Sequence, residues 1–132
     1  MTTATTLSDS KRIVVDSSGW LEYLTDDVNA DRFAPYVAAD FHVIVPTIVV
    51  YEVYKKLLME SGKGAADAFA ADAMRRTLVP LDDVLAISAA RISLIHRLPM
   101  ADAIIYASTM AQKAELVTGD PHFGGLPGVV IP

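Results

Sequence analysis

The chain has 132 residues, 52% of them hydrophobic, and a formal net charge of −5. The length suits one domain with a sizeable core. The absence of cysteine excludes disulfide bonds and thiolate metal sites and is compatible with a reducing cytosol. No apolar stretch approaches the roughly 18 residues of a membrane-spanning helix, so we expect a cytoplasmic protein with no membrane partner.

The first ten residues are rich in threonine and lack the basic and apolar regions of a signal peptide. We therefore expect residues 1–10 to form a disordered tail. No internal repeat, linker or change of composition interrupts the rest of the chain, which predicts one domain over residues 11–132.

Short apolar runs alternate with helix-forming segments along residues 11–132. In chain order, the pattern predicts a strand at 12–15, helices at 17–24 and 31–39, a strand at 42–45, helices at 47–60 and 65–76, a strand at 78–79, helices from 82 to the break at Pro99 and from 101 to 113, and strands at 115–118 and 129–131. Ser17 or Ser18, Thr47 and Asp82 are the predicted N-caps. This alternation predicts an α/β fold with a short, mostly parallel central sheet flanked by helices.

Four carboxylates stand where an apolar strand or helix should end or begin. Asp16 follows the first strand, Glu52 interrupts an apolar helix, Asp102 opens a later helix and Asp120 follows the fourth strand. An ionised carboxylate among apolar neighbours is costly unless it is compensated. Because the carboxyl ends of parallel strands share one edge of the sheet, we expect these acids to converge there.

Converging carboxylates are typical ligands of hard cations, and Mg²⁺ or Mn²⁺ fits such an oxygen donor set. A metal of this kind lowers the pKa of water and stabilises the charge on a scissile phosphate. The three histidines do not form an i, i+4 pair, and this argues against zinc. A solvent-exposed turn residue is the preferred interpretation of His122, with a substrate contact as the alternative.

Four motifs carry a resemblance to a known family. They are VVDSS at 14–18, VYEVYK at 50–55, LPMADAIIYA at 98–107 and LVTGDPHF at 116–123. In this order and spacing the chain resembles the PIN-domain ribonucleases, most closely the VapC-type toxins of type II toxin–antitoxin pairs. The resemblance extends from residue 13 to residue 131.

The resemblance implies a PIN-like nuclease domain that hydrolyses RNA phosphodiesters with a metal-activated water. The four acids would be the catalytic residues and the ligands of Mg²⁺ or Mn²⁺, and Thr118 and Ser17 would support them. A cognate antitoxin would block the site, and the toxin would be a homodimer. Lys55 and Lys56 are possible RNA contacts through phosphate, and a plain surface role is their alternative.

Each acid also has a structural interpretation when it is taken alone, and that of Glu52 is the weakest because its neighbours in the helix are apolar on nearly every side. Asp16 would serve as a strand-end or N-cap residue, Asp102 as an acid favoured by the helix dipole, and Asp120 as a turn residue. For all four acids to be structural, they would have to share one sheet edge by coincidence.

Two other functions fit an α/β domain with acids at the sheet edge. One is a non-catalytic PIN-like interaction module, which four intact acids argue against. The other is a receiver-type phospho-acceptor domain. Such a domain needs an acid pair near the first strand and a lysine after the last-but-one strand, whereas Ser17 and Ser18 stand at the first place and no lysine follows Thr118.

Overall fold

The computed structural model describes residues 11–25, 28–38 and 41–132, so the predicted tail at 1–10 lies outside the described residues. The described part contains five strands and six α-helices. The strands are β1 (Arg12–Val15), β2 (His42–Pro46), β3 (Thr77–Val79), β4 (Glu115–Val117) and β5 (Val129–Val130). The helices are α1 (Ser17–Leu24), α2 (Ala30–Ala38), α3 (Thr47–Glu60), α4 (Lys63–Met74), α5 (Asp83–His96) and α6 (Met100–Ala111), and a short 3₁₀ turn spans Pro121–Phe123.

The five strands form one sheet in the order β3-β2-β1-β4-β5, and every pair of neighbouring strands is parallel. The predicted α/β class with a flanked parallel sheet is therefore confirmed. The central strand β1 is buried through Ile13, Val14 and Val15, as expected for a parallel strand covered on both faces.

The strand order reverses at β1. The chain leaves β1 for β2 and β3 on one side and then returns to β4 and β5 on the other. A crevice forms beside the carboxyl ends of the strands at such a switch point. Because β1 and β4 are direct neighbours, the residues that follow Val15 and Val117 lie side by side at this crevice.

Two of the predicted helix caps were wrong. The N-cap of α1 is Asp16, not Ser17 or Ser18, because pairing with β4 continues through the backbone N–H of Asp16 and keeps its backbone extended. Helix α3 already includes Thr47, because the extended Pro46 occupies the cap position without a side-chain hydrogen bond. The predicted cap Asp82 is confirmed, and its Oδ1 accepts a hydrogen bond of 2.8 Å from the N–H of Leu85.

Gly19 lets α1 pack directly against the core. A Cβ atom at this position would lie 2.9 Å from side-chain atoms of both Phe33 and Val15. Both of those side chains are fully buried, so neither has room to move. The close approach places the first turn of α1, and with it Ser17, next to the end of β1.

Helices α5 and α6 pack against each other after a sharp turn. Arg97 ends α5 in the left-handed conformation, with φ of 55°, and Pro99 precedes α6. Within the described ranges, no single helix has the length and apolar character needed to cross a membrane, although α5 and α6, bent by 114°, meet that test as a pair.

Candidate active site

Asp16 is the most buried of the four predicted acids, with only 3% of its surface exposed. Its carboxylate accepts hydrogen bonds from the N–H of Gly19 at 2.8 Å, from Ser18 Oγ at 3.0 Å and from Thr118 Oγ1 at 2.6 Å. Burial raises the pKa of Asp16 to about 6, the hydrogen bonds act in the opposite direction, and the nearby charge of Asp120 raises it further. Ionising Asp16 in the folded protein therefore costs free energy, which its hydrogen bonds offset only in part.

Thr118 joins the two acids that follow neighbouring strands. Its hydroxyl donates to Asp16 Oδ2 and accepts a hydrogen bond of 2.9 Å from the backbone N–H of Asp120. The side chain is fully buried, so no water competes for these bonds. Thr118 thus lies where a supporting residue of an acid cluster would lie.

Ser17 makes the corresponding link to α3. Its Oγ donates a hydrogen bond of 2.6 Å to Glu52 Oε1, across 35 positions of sequence. Glu52 is half-buried and faces the same crevice as Asp16. The second predicted supporting residue therefore orients a second acid.

Asp102 and Asp120 meet at the other side of the crevice. Asp102 lies in the first turn of α6, where the helix dipole favours an anion. Burial raises the pKa of Asp102, the charge of Asp120 raises it further, His122 lowers it, and Glu52 adds a smaller upward effect. Because the negative charges of Asp120 and Glu52 both raise the pKa of Asp102, these acids are close enough to repel one another.

The four acids line one cleft of about 560 Å³ at the switch point of the sheet. Lys55 and Lys56, the predicted RNA contacts, line the same cleft from α3. The Nζ atom of Lys55 lies 5.6 Å from the centre of the Tyr51 ring, and Lys56 pairs with Glu60 at 2.9 Å. The cleft therefore has an acidic floor and a basic, aromatic edge.

His122 belongs to this cluster, although the sequence favoured a solvent-exposed turn residue at this position. Its side chain is 60% exposed, as predicted, yet its Nδ1 lies 3.2 Å from Asp102 Oδ2 and 3.3 Å from Asp120 Oδ1. In the sequence, only its position two residues after Asp120 indicated that His122 lies near the acids. The sequence offered no sign of its contact with Asp102, which depends on how α6 packs beside β4.

The donor set fits a hard divalent ion. Four carboxylates provide oxygen ligands from separate segments, and both Mg²⁺ and Mn²⁺ bind such ligands well. Among the residues that the structure describes, neither lysine nor arginine forms an ion pair with any of these acids. A cation bound in the cleft would supply the missing positive charge.

The model of the PIN domain family matches residues 13–128. The chain therefore belongs to the PIN domain family, and the resemblance drawn from its four motifs is confirmed. A search of curated protein sequences finds no match.

Solved structures of toxin–antitoxin proteins share this fold. A toxin–antitoxin complex from Klebsiella pneumoniae superposes with a TM-score of 0.78 at 18% identity, over 91% of this chain and 97% of that chain. VapC20 from Mycobacterium tuberculosis, a toxin that cleaves the sarcin–ricin loop, gives 0.76 at 21% identity, over 91% and 99%. VapBC2 from Rickettsia felis, bound to a fragment of its promoter DNA, gives 0.69 at 12% identity, over 92% and 97%.

Proposed function

We propose that this PIN-domain protein is a metal-dependent endoribonuclease and the toxin of a type II toxin–antitoxin pair. Asp16, Glu52, Asp102 and Asp120 are its catalytic residues and hold Mg²⁺ or Mn²⁺. The observation that carries the proposal is the convergence of these four acids, from four separate segments, in one cleft at the switch point of the sheet.

The chain's own residues prepare the cleft for phosphodiester hydrolysis. Thr118 donates a hydrogen bond to Asp16 and Ser17 donates one to Glu52, so each hydroxyl group fixes the orientation of one carboxylate. A bound divalent ion would supply the chemistry, by lowering the pKa of a water molecule and stabilising the charge on the phosphate. Lys55 and Lys56 attract the RNA backbone to the edge of a cleft whose floor alone would repel it.

A cleavage assay with structured RNA tests the catalytic part of the proposal. We expect cleavage in Mg²⁺ or Mn²⁺ and none in EDTA. Asp16→Asn and Asp102→Asn should lose activity and keep their circular dichroism spectra, whereas Asp31→Asn, an exposed acid in α2, should cleave like wild type. Cleavage that persists in EDTA, or in both site variants, contradicts the proposed metal chemistry, whereas no cleavage in either metal favours the non-catalytic interaction module.

The proposed partner is a cognate antitoxin that covers the cleft. The similar structures from Klebsiella, Rickettsia and Salmonella are toxin–antitoxin or VapBC assemblies. Here the acidic floor of an open cleft is complementary to a basic segment of such a partner. An antitoxin of this kind should inhibit RNA cleavage, and Asp102→Asn should weaken its binding.

The proposed homodimer uses the apolar face of α5. Large apolar side chains that are more than half exposed recur there at helical spacing and continue into the start of α6: Val84, Ile87, Leu94, Ile95 and Met100. A two-fold contact brings one patch onto itself and removes these apolar side chains from water. Ile95→Glu should shift the mass measured by light scattering from dimer to monomer, while Met74→Glu, equally apolar and exposed on α4, should not. A monomeric wild type contradicts this part of the proposal.

A further inference from the structure

We propose that His122 is a further metal-site residue, whose imidazole joins Asp102 and Asp120 in holding a divalent ion and biases the cleft towards Mn²⁺ over Mg²⁺. This inference rests on the proposed function and deepens it, because it assigns the metal preference to one side chain. Neither the family match nor the motifs assign any role to this histidine.

The spacing of the three side chains fits a shared ion. The ring Nδ1 lies 3.2 Å from Asp102 Oδ2 and 3.3 Å from Asp120 Oδ1, and one ligand atom from each residue lies within 4.8 Å of the others. Adjacent ligands of an octahedral ion with bonds of about 2.1 Å are about 3 Å apart. The nitrogen and the two oxygens are therefore already close to the separations of neighbouring ligands.

The backbone holds His122 in this place although its side chain is exposed. Its N–H donates a hydrogen bond of 2.9 Å to Asp120 Oδ1, so the acid that it faces also caps the turn that carries it. The next residue, Phe123, is fully buried and stacks against Tyr106 of α6. Because Tyr106 lies one turn after Asp102, the same packing keeps α6 beside the 3₁₀ turn.

The imidazole of His122, as the third ligand, determines the preference for Mn²⁺ over Mg²⁺. Mg²⁺ binds oxygen ligands and water almost exclusively, whereas Mn²⁺, although the weakest binder of the first transition row, accepts an imidazole nitrogen beside carboxylate oxygens. Asp16 and Glu52 offer only oxygen atoms, and their other contacts are to hydroxyl and amide groups. The Asp102–Asp120–His122 side of the cleft is thus the part that distinguishes Mn²⁺ from Mg²⁺.

A histidine that only orients the acids makes a different prediction. Its Nδ1–H would donate to Asp102 or Asp120, and the ring would make no bond to the ion. Electron spin echo envelope modulation of Mn²⁺-loaded protein separates the two roles, because it detects a nitrogen nucleus bonded to the manganese. We expect a nitrogen signal in wild type that is lost in His122→Ala and His122→Gln and kept in His96→Ala, an exposed histidine that contacts Tyr106.

Calorimetric titration with each metal alone gives a second readout that needs no RNA. Loss of a supporting residue around a metal typically costs 10–100-fold in affinity, so loss of a direct ligand should weaken Mn²⁺ binding by at least about tenfold. Mg²⁺ binding should change by less than about threefold, because water readily replaces the imidazole around that ion. Circular dichroism of each variant checks that it folds, and His122→Gln keeps a polar side chain of similar length.

The outcomes distinguish this inference from the proposed function. If Asp16→Asn and wild type both fail to bind Mn²⁺ or Mg²⁺, the metal-dependent function itself is wrong. If wild type binds Mn²⁺ without a nitrogen signal, or if His122→Ala weakens both metals equally, the metal-dependent function stands and the role of His122 is overturned. A nitrogen signal that remains in both His122 variants also overturns it.

Discussion

Replacing Asp16 with asparagine tests whether its buried charge destabilises the protein when no metal is present. Asp16 is 3% exposed, and its carboxylate relies on donors from Gly19, Ser18 and Thr118. Asparagine has nearly the same shape and carries no charge, but its Nδ2 cannot accept the hydrogen bond that Thr118 donates to Asp16 Oδ2, so the desolvation cost sets an upper limit on the gain in stability. The substitution therefore removes the cost of desolvation and largely keeps the packing.

The expected effect follows from the pKa of this group. Burial raises the pKa of Asp16 from its ordinary 3.8 to about 6. Each pKa unit corresponds to 1.36 kcal/mol, so the charged form costs the folded state up to about 3 kcal/mol at pH 7.5. Since the folded pKa is the higher one, wild type has this stability in full below pH 3.8 and loses it as the pH rises through about 6.

Urea denaturation in EDTA at several pH values between about 4 and 7.5 measures the difference. At pH 7.5, Asp16→Asn should be more stable than wild type by up to about 3 kcal/mol. The difference should shrink towards pH 4, because the carboxyl group is then protonated in wild type too. The free energy of unfolding of Asp31→Asn, which changes an exposed acid, should vary with pH in the same way as that of wild type.

One result refutes this reasoning. If the stabilities of wild type and Asp16→Asn stay parallel from pH 4 to pH 7.5, the carboxylate of Asp16 carries no desolvation cost in the folded protein. The raised pKa would then be wrong, and so would the view that this charge awaits a cation.

Three further predictions concern the same cleft. Without metal, Asp102→Asn should melt at or above the temperature of wild type, because burial and the charge of Asp120 raise the pKa of Asp102. Mg²⁺ at about 100 times its Kd should stabilise wild type by roughly 2.7 kcal/mol, and calorimetry should show that Asp102→Asn loses most of this gain. Expression of wild type, but not of Asp16→Asn at matched levels, should arrest growth of a bacterial host, and equal growth would reject the toxin role. Thr118→Val should lower the free energy of unfolding by about 1–3 kcal/mol, since it removes the acceptor of the part-buried N–H of Asp120 and one of the two hydroxyl donors to Asp16 Oδ2. Thr118→Ser should keep most of the wild-type stability, and an equal loss in both variants would assign the effect to packing.

The sequence alone was enough to predict the α/β class and the convergence of the four acids. Both rest on short-range signals: apolar runs mark the strands, and Asp16, Glu52, Asp102 and Asp120 stand at their ends or in the helices beside them. Parallel pairing then brings strand ends to one edge, whatever the order of the strands. The general location of the site therefore required no knowledge of tertiary contacts.

The tertiary structure decided which groups touch. Asp16 caps α1 because its N–H pairs with the carbonyl of Val117, about 100 residues away, and so keeps the backbone extended. The link from Ser17 to Glu52 and the place of His122 beside Asp102 depend equally on how α1, α3 and α6 pack against the sheet. Local propensity acts over a few residues, whereas these contacts are set by burial and by the order of the strands, so only the folded chain determines them.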